Sequence, residues 1–234
     1  MREEWNIENF NRVNLPNIVG KVHMPPFMGV RVLDMPVKMS GSNVFKFPSN
    51  IKRFENIVMD AVDFEIERFG DITNHYVYVT IDQKEVKAGK TGRRAGAHSD
   101  AFISKDGKQL DVTKDTAHLV DEVSHTYVAY DVLPTEFFNA KFPITSDNCE
   151  SSMKTFDEIA DNSEVITYPC NTLLQMNPYV IHRSTVCKED TQRTFIKVSI
   201  SKKKYAREGN SKNYLFNYNW TLKTRSKNIR NHPW

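Results

Sequence analysis

Cysteine is scarce in this chain. Cys149, Cys170 and Cys187 are the three in 234 residues, too widely spaced for a disulfide framework or a zinc knuckle. Long hydrophobic runs are missing: no apolar stretch approaches the roughly 18 residues of a membrane span, so no membrane partner is expected. The start, MREEWNIENF, has no apolar signal core and is too acidic for a transit peptide. Reduced thiols and no leader together predict a cytoplasmic protein. No internal repeat or low-complexity segment occurs. A phosphate loop is also excluded: Gly89-Lys90-Thr91 has the ending of one, but the pattern's first glycine would fall on Lys84. What remains is a chain with 39% hydrophobic residues, long enough for one domain with a sizeable core.

The net charge of +3 hides an asymmetry. From Lys197 onward ten Lys/Arg face Glu208 alone, which leaves the rest of the chain acidic. Tyr205, Tyr214, Phe216, Tyr218, Trp220 and Trp234 are interleaved with these cations. Basic groups among aromatics can contact phosphates and stack on bases. They can equally anchor an extension on the acidic body of the same domain, and packing is the favoured expectation. With the Lys87, Lys90, Arg93, Arg94 loop, the tail leans toward an anionic partner such as a nucleotide or nucleic acid.

Residues 1–28 read as irregular, broken by Pro16, Pro25 and Pro26. Residues 29–39 read as a strand, placed toward an edge by Pro36. Ile51, Phe54, Ile57, Val58, Ala61 and Val62 fall on one helical stripe, with Ser49 as N-cap and Gly70 as stop. Residues 75–86 alternate, Tyr76, Tyr78 and Thr80 opposing Val77, Val79 and Ile81. If the aliphatic side lies under the helix, the Tyr side faces a polar interior; an ordinary core strand with buried tyrosines fits the pattern equally well. Asp106-Gly107 predicts a turn, and residues 125–132 a further strand. The polar stretch 139–164 has a short helix around SSMKTFDEIA and is a candidate lid. EVITYP, TLLQM, YVIHRS and RTFIKVSIS supply closing strands, the last with Arg193, Phe195, Lys197 and Ser199 on one face.

The chemistry sits in three residues. His98-Ser99-Asp100 lies in RRAGAHSDAF and His182 in NPYVIHRS. Two histidines and one carboxylate on one face of a metal leave the opposite positions open, which suits non-haem Fe(II) and O₂. Taken singly, His98-x-Asp100 also fits a turn histidine beside an aspartate, and His182 a satisfied core side chain. Order and spacing join them. His182 follows His98 by 84 residues, and Arg193 follows His182 by 11, across the turn CKEDTQ between two strand-like flanks. An arginine there can grip the far carboxylate of a bound 2-oxo acid in a bidentate fork.

This order resembles the 2-oxoglutarate/Fe(II)-dependent dioxygenase superfamily. The wording RRAGAHSDAF, YDVLPTEFF, NTLLQMNPYVIHRS, QRTFIKVSISKKKY and RNHPW is similar to small bacteriophage-encoded members, over about residues 75–234. The resemblance implies a mainly β fold, a double-stranded β-helix or jelly roll. Residues 1–74 would form a strand and helix cover, 75–201 the core and 202–234 the basic aromatic extension of a single domain. It implies Fe(II) on His98, Asp100 and His182, with 2-oxoglutarate as co-substrate on Arg193. With O₂ the enzyme would hydroxylate an unidentified substrate, releasing succinate and CO₂, in the cytoplasm of a host cell if virus-encoded. Where many members carry Arg-x-Ser, this chain reads Arg193-Thr194-Phe195. Tyr78 or Tyr76 could supply the missing hydroxyl to the oxo acid. The alternative is a jelly roll without turnover that binds a metal, an oxo acid or nucleic acid.

Overall fold

The computed structural model describes residues 2–101, 122–144 and 149–224, with side chains of 149–151 left aside. The expected turn at Asp106-Gly107 and the tail from Arg225 to Trp234 lie outside the described residues. Among those described, strands run β1 (Asn17–Lys21), β2 (Arg31–Lys38), β3 (Tyr76–Val86), β4 (His125–Tyr130), β5 (Glu136–Phe138), β6 (Val165–Thr167), β7 (Thr172–Met176), β8 (His182–Arg183) and β9 (Thr191–Ser201). Helix α1 spans Glu55–Phe69 and α2 spans Cys149–Ala160. The chain is mainly β, and every strand pairing is antiparallel. One sheet has the order β1-β7-β4-β9-β3-β2, the other β6-β5-β8.

Alternation along the central strands decides which face does what. Side chains two apart share a face, and directly paired residues on neighbouring strands share it too. Val77, Val79 and Ile81 of β3 pair with Ile200, Val198 and Ile196 of β9. This aliphatic face buries Ile57, Val58, Ala61 and Val62 of α1. Each fully buried Val or Ile contributes about 1.5–3 kcal/mol. The opposite face carries Thr80 against Lys197 and Asp82 against Phe195. There Val128, Leu174, Met176 and Phe195 of the large sheet meet Phe137 of the small one, so an apolar cluster joins the two sheets. Phe138, the next residue on β5, points the other way, into a cluster with Phe156 of α2, Phe10, Tyr179 and Ile181.

Three sequence expectations need correcting. Helix α1 starts at Glu55 rather than after Ser49, because a 3-10 turn over Lys52–Phe54 winds in first and no side chain caps it. Gly70 ends it at φ 90°, its N–H donating to Ile66 O. The stretch read as irregular contains β1, a short edge strand on β7 with a register irregularity between Ile18 and Gly20. YVIHRS contributes only the two-residue strand β8. Pro36 does sit on an edge strand, since β2 ends the large sheet. No helix among the described residues is long and apolar enough to cross a membrane.

A candidate metal centre

His98 and His182 face each other across an antiparallel bridge. The His98 N–H donates to His182 O at 3.0 Å and the His182 N–H to His98 O at 3.1 Å. Residues so paired project their side chains to the same side, and the two rings lie 4.5 Å apart between centroids. Their neighbours Ala97 and Ile181 point away into the α2 cluster, which locks the pair from behind. Each imidazole turns Nδ1 to a carbonyl two residues upstream: His98 to Gly96 O at 3.0 Å, His182 to Val180 O at 3.1 Å. A carbonyl can only accept, so Nδ1 carries the proton and Nε2 keeps its lone pair for a metal. Gly96 makes this possible: it sits at φ +88°, and a Cβ there would lie 3.2 Å from the Asp157 carboxylate. Asp157 of α2 accepts from the Ala97 N–H, so α2 holds the turn that aims His98.

Asp100 completes the group, with one ligand atom from each of the three residues within 4.8 Å of the others. All three residues are buried. Burial, then the neighbouring His182, hold the His98 imidazole well below its usual pKa; burial lowers His182 as well. Burial opposes ionisation of Asp100, but Lys197 and the two histidines more than offset it, so its carboxyl is held below the usual range. Near neutrality the set is two neutral imidazoles and one carboxylate. That is the protonation a divalent cation needs, and the donor set fits Fe(II).

Lys197 of β9 stands between two buried carboxylates, 3.9 Å from Asp100 and 4.0 Å from Asp34. Asp34, a non-glycine at φ 43°, accepts from Thr80 Oγ1 at 3.1 Å and from Arg207 at 3.2 Å. The Arg207 contact brings the C-terminal segment into the centre's surroundings. Ser211 and Leu33 exchange hydrogen bonds, and Asn213 Nδ2 donates to Pro36 O and Lys46 O. Gly209 and Ser211 thereby form part of the cavity wall. Alternation along β9 did place Lys197 on the inward face, a signal for its role. Nothing local in the sequence marks Asp34, Gly209 or Ser211.

The centre opens into a cavity of about 1040 Å³, with His98, Asp100, His182 and Lys197 in its wall beside Thr80, Asp82, Val128 and Phe195. Neither Arg193 nor Tyr78 is part of that wall. Tyr78 shares the inward face of β3, yet its hydroxyl donates to Lys203 O and accepts from the Tyr205 N–H, both at 3.0 Å. Its ring stacks on Tyr205 at 4.3 Å, so the tail occupies the place expected for an oxo acid's hydroxyl contact. Tyr76 is engaged with Trp220 of the same tail. Arg193 is buried, donating from Nε to Val132 O and from Nη2 to Leu133 O, each at 3.2 Å. Gly92 lies against it so closely that a Cβ would come within 2.6 Å of Nη1. Burial chiefly, then Arg93, lower the Arg193 pKa to about 10. Helix α2, inside the 139–164 stretch read as a candidate lid, supplies Met153 and Asp157 to the wall and buries Phe156.

No family model matches the chain, and no curated protein matches it. Among solved structures, the non-heme alpha-ketoglutarate-dependent epimerase SnoN from nogalamycin biosynthesis is 12% identical at TM-score 0.38, covering 65% of this chain and 58% of its own. HygX from Streptomyces hygroscopicus with iron bound is 8% identical at TM-score 0.41, covering 67% of this chain and 70% of its own. AviO1 from Streptomyces viridochromogenes Tue57 is 11% identical at TM-score 0.40, covering 83% and 92%. This chain thus spans under two thirds of SnoN's length.

Proposed function

We propose that the protein is an Fe(II)- and 2-oxoglutarate-dependent oxygenase on a jelly-roll core, hydroxylating a substrate still to be identified. The observation that carries this is the buried His98, Asp100, His182 set, whose ligand atoms converge within 4.8 Å. These three residues would hold Fe(II), which would supply the oxidising chemistry. The chain's residues supply geometry and charge. The Gly96 and Val180 carbonyls fix both imidazoles with Nε2 inward. The cation of Lys197 faces Asp100 Oδ2 at 3.9 Å and keeps the carboxylate ionised.

Arg193 is proposed to take the far carboxylate of 2-oxoglutarate, since it shares the inward face of β9 with Phe195 and Lys197. Its guanidinium lies 5.1 Å over the Phe195 ring, and Phe195 lines the cavity. The hydroxyl partner once sought in Tyr78 is better sought in Thr135 or Ser184, both in the cavity wall. The test is anaerobic addition of Fe(II) and 2-oxoglutarate, read by the visible charge-transfer band of an iron-bound oxo acid, then admission of O₂ and assay of succinate. Succinate above background that depends on both additions is expected. A band without succinate would leave a binding module, and no band at all would sink the reading.

A further inference from the structure

The cavity wall is more basic than a metal and an oxo acid require. Among the described residues of the wall, Arg31, Lys84, Arg93, Arg94 and Lys197 oppose Asp82, Asp100 and Asp157, an excess of two positive charges. A divalent metal adds two more and a five-carbon dicarboxylate removes two, so the loaded cavity keeps its excess. Like charges gathered on one wall repel one another, and an anionic guest relieves that repulsion. The surplus has an address. Arg31 and Lys84 share the single carboxylate of Asp82, at 3.2 and 2.8 Å. Arg93 has no carboxylate partner among the described residues. Its guanidinium lies 4.9 Å over Phe195, a ring it shares with Arg193 at 5.1 Å. With Arg193 assigned to 2-oxoglutarate, Arg93 is left as a second cation beside that ring. The volume agrees: about 1040 Å³ is at the upper end for small-molecule sites, which leaves room beside a five-carbon acid.

We propose that the cavity holds a second anion position, formed by Arg93 with the Arg31–Lys84 wall, and that the substrate is a small molecule carrying a phosphate or carboxylate group there. The position rests on the oxygenase reading for its role in turnover, though not for its existence. The planar forks of Arg31 and Arg93 match either oxyanion, and Lys84 adds a point charge.

The test uses the full-length protein loaded with Mn(II) and 2-oxoglutarate under argon, titrated calorimetrically with inorganic phosphate and, separately, with acetate. At least one anion is expected to bind without displacing 2-oxoglutarate, and the tighter of the two assigns the substrate's group. Arg93→Gln should weaken that anion at least tenfold in protein that still takes up Mn(II), and Lys84→Met should weaken it less. Binding of neither anion, binding indifferent to both substitutions, or displacement of 2-oxoglutarate by the anion would each overturn the proposal. Failure of the parent reading looks different: the wild-type protein would take up no Mn(II) or 2-oxoglutarate. Phosphate binding by the metal-free protein that still depended on Arg93 would then support the anion position alone.

Discussion

Two buried clusters of histidine and carboxylate lie on opposite faces of the same large sheet, and one is finished while the other is not. On the α1 side, Glu65 accepts from His125 Nδ1 at 3.0 Å, from the Tyr127 hydroxyl and from Arg2. Both of its oxygens are taken by protein donors. On the cavity side, Asp100 meets no donor among the described residues closer than Lys197 at 3.9 Å, and its histidines spend their N–H groups on carbonyls. The residue types are the same. What differs is where the protons are: in the first cluster donors point at the carboxylate, in the second lone pairs and a negative charge converge. The first is satisfied by protein donors; the second has the arrangement that could hold a cation. Composition alone does not make a metal site, and hydrogen-bond direction does.

The largest expected effect breaks the second cluster. Asp100→Ala should weaken Mn(II) or Fe(II) binding by more than about 100-fold, beyond the range for second-sphere changes, and abolish iron-dependent succinate release. The thermal midpoint should stay close to wild type, because no hydrogen bond to the Asp100 side chain holds the fold. Normal metal uptake in this variant would remove Asp100 from the site. Glu65→Ala is the mirror experiment. It strands His125, Tyr127 and Arg2 in the core, and losing one member of a buried ionic group costs about 3–5 kcal/mol. Chemical denaturation should register that loss while metal affinity, measured where the variant is folded, stays put. If the two variants exchanged phenotypes, the contrast between finished and unfinished clusters would be wrong.

Arg193→Lys comes next. A lysine offers a point charge where a carboxylate wants a planar fork, so the apparent 2-oxoglutarate affinity should fall by about 1.5–3 kcal/mol. Iron affinity should be unchanged. Arg193 also donates to Val132 O and Leu133 O, so part of the effect should appear as lower stability. Loss of stability with an unchanged 2-oxoglutarate requirement would make Arg193 a brace for the β4–β5 turn and nothing more.

How much of this was legible in the sequence depended on the range of each contact. The two faces of β3 and β9 were readable because alternation is local, and His98, Asp100 and His182 because a His-x-Asp pair and a distant His stood in an ordered pattern. Helix α1 was readable as a stripe, but its start was not, since the 3-10 turn leaves no side-chain signature. Tyr78 was misjudged for a physical reason: its face was read correctly, but a hydroxyl facing inward at position 78 is claimed by backbone at 203 and 205. The tail's share of the cavity, through Ser211 on Leu33 and Arg207 on Asp34, rests on contacts more than 170 residues apart in sequence. No window along the chain contains both partners.

The smallest effect sharpens the comparison at the finished end. Arg2 also approaches Glu122 at 3.5 Å, and Glu122 takes hydrogen bonds from His75, at 2.5 Å, and from Lys202. Burial works against ionisation of Glu122, but His75 and Lys202 more than offset it and hold the carboxyl at about 2, below its ordinary 4.5. A carboxyl depressed in the folded state binds fewer protons there than in the unfolded chain, so stability rises with pH across the interval between the two values. Its contribution is fully present above about 4.5 and is lost as pH falls toward about 2. Glu122→Gln cannot titrate, so its denaturation midpoint should start lower at pH 6 and fall less steeply below pH ~4.5 than wild type. Parallel slopes would mean that Glu122 is ordinary in the folded protein and that acid acts elsewhere, with Glu65, also held low by His125 and Arg2, the first place to look.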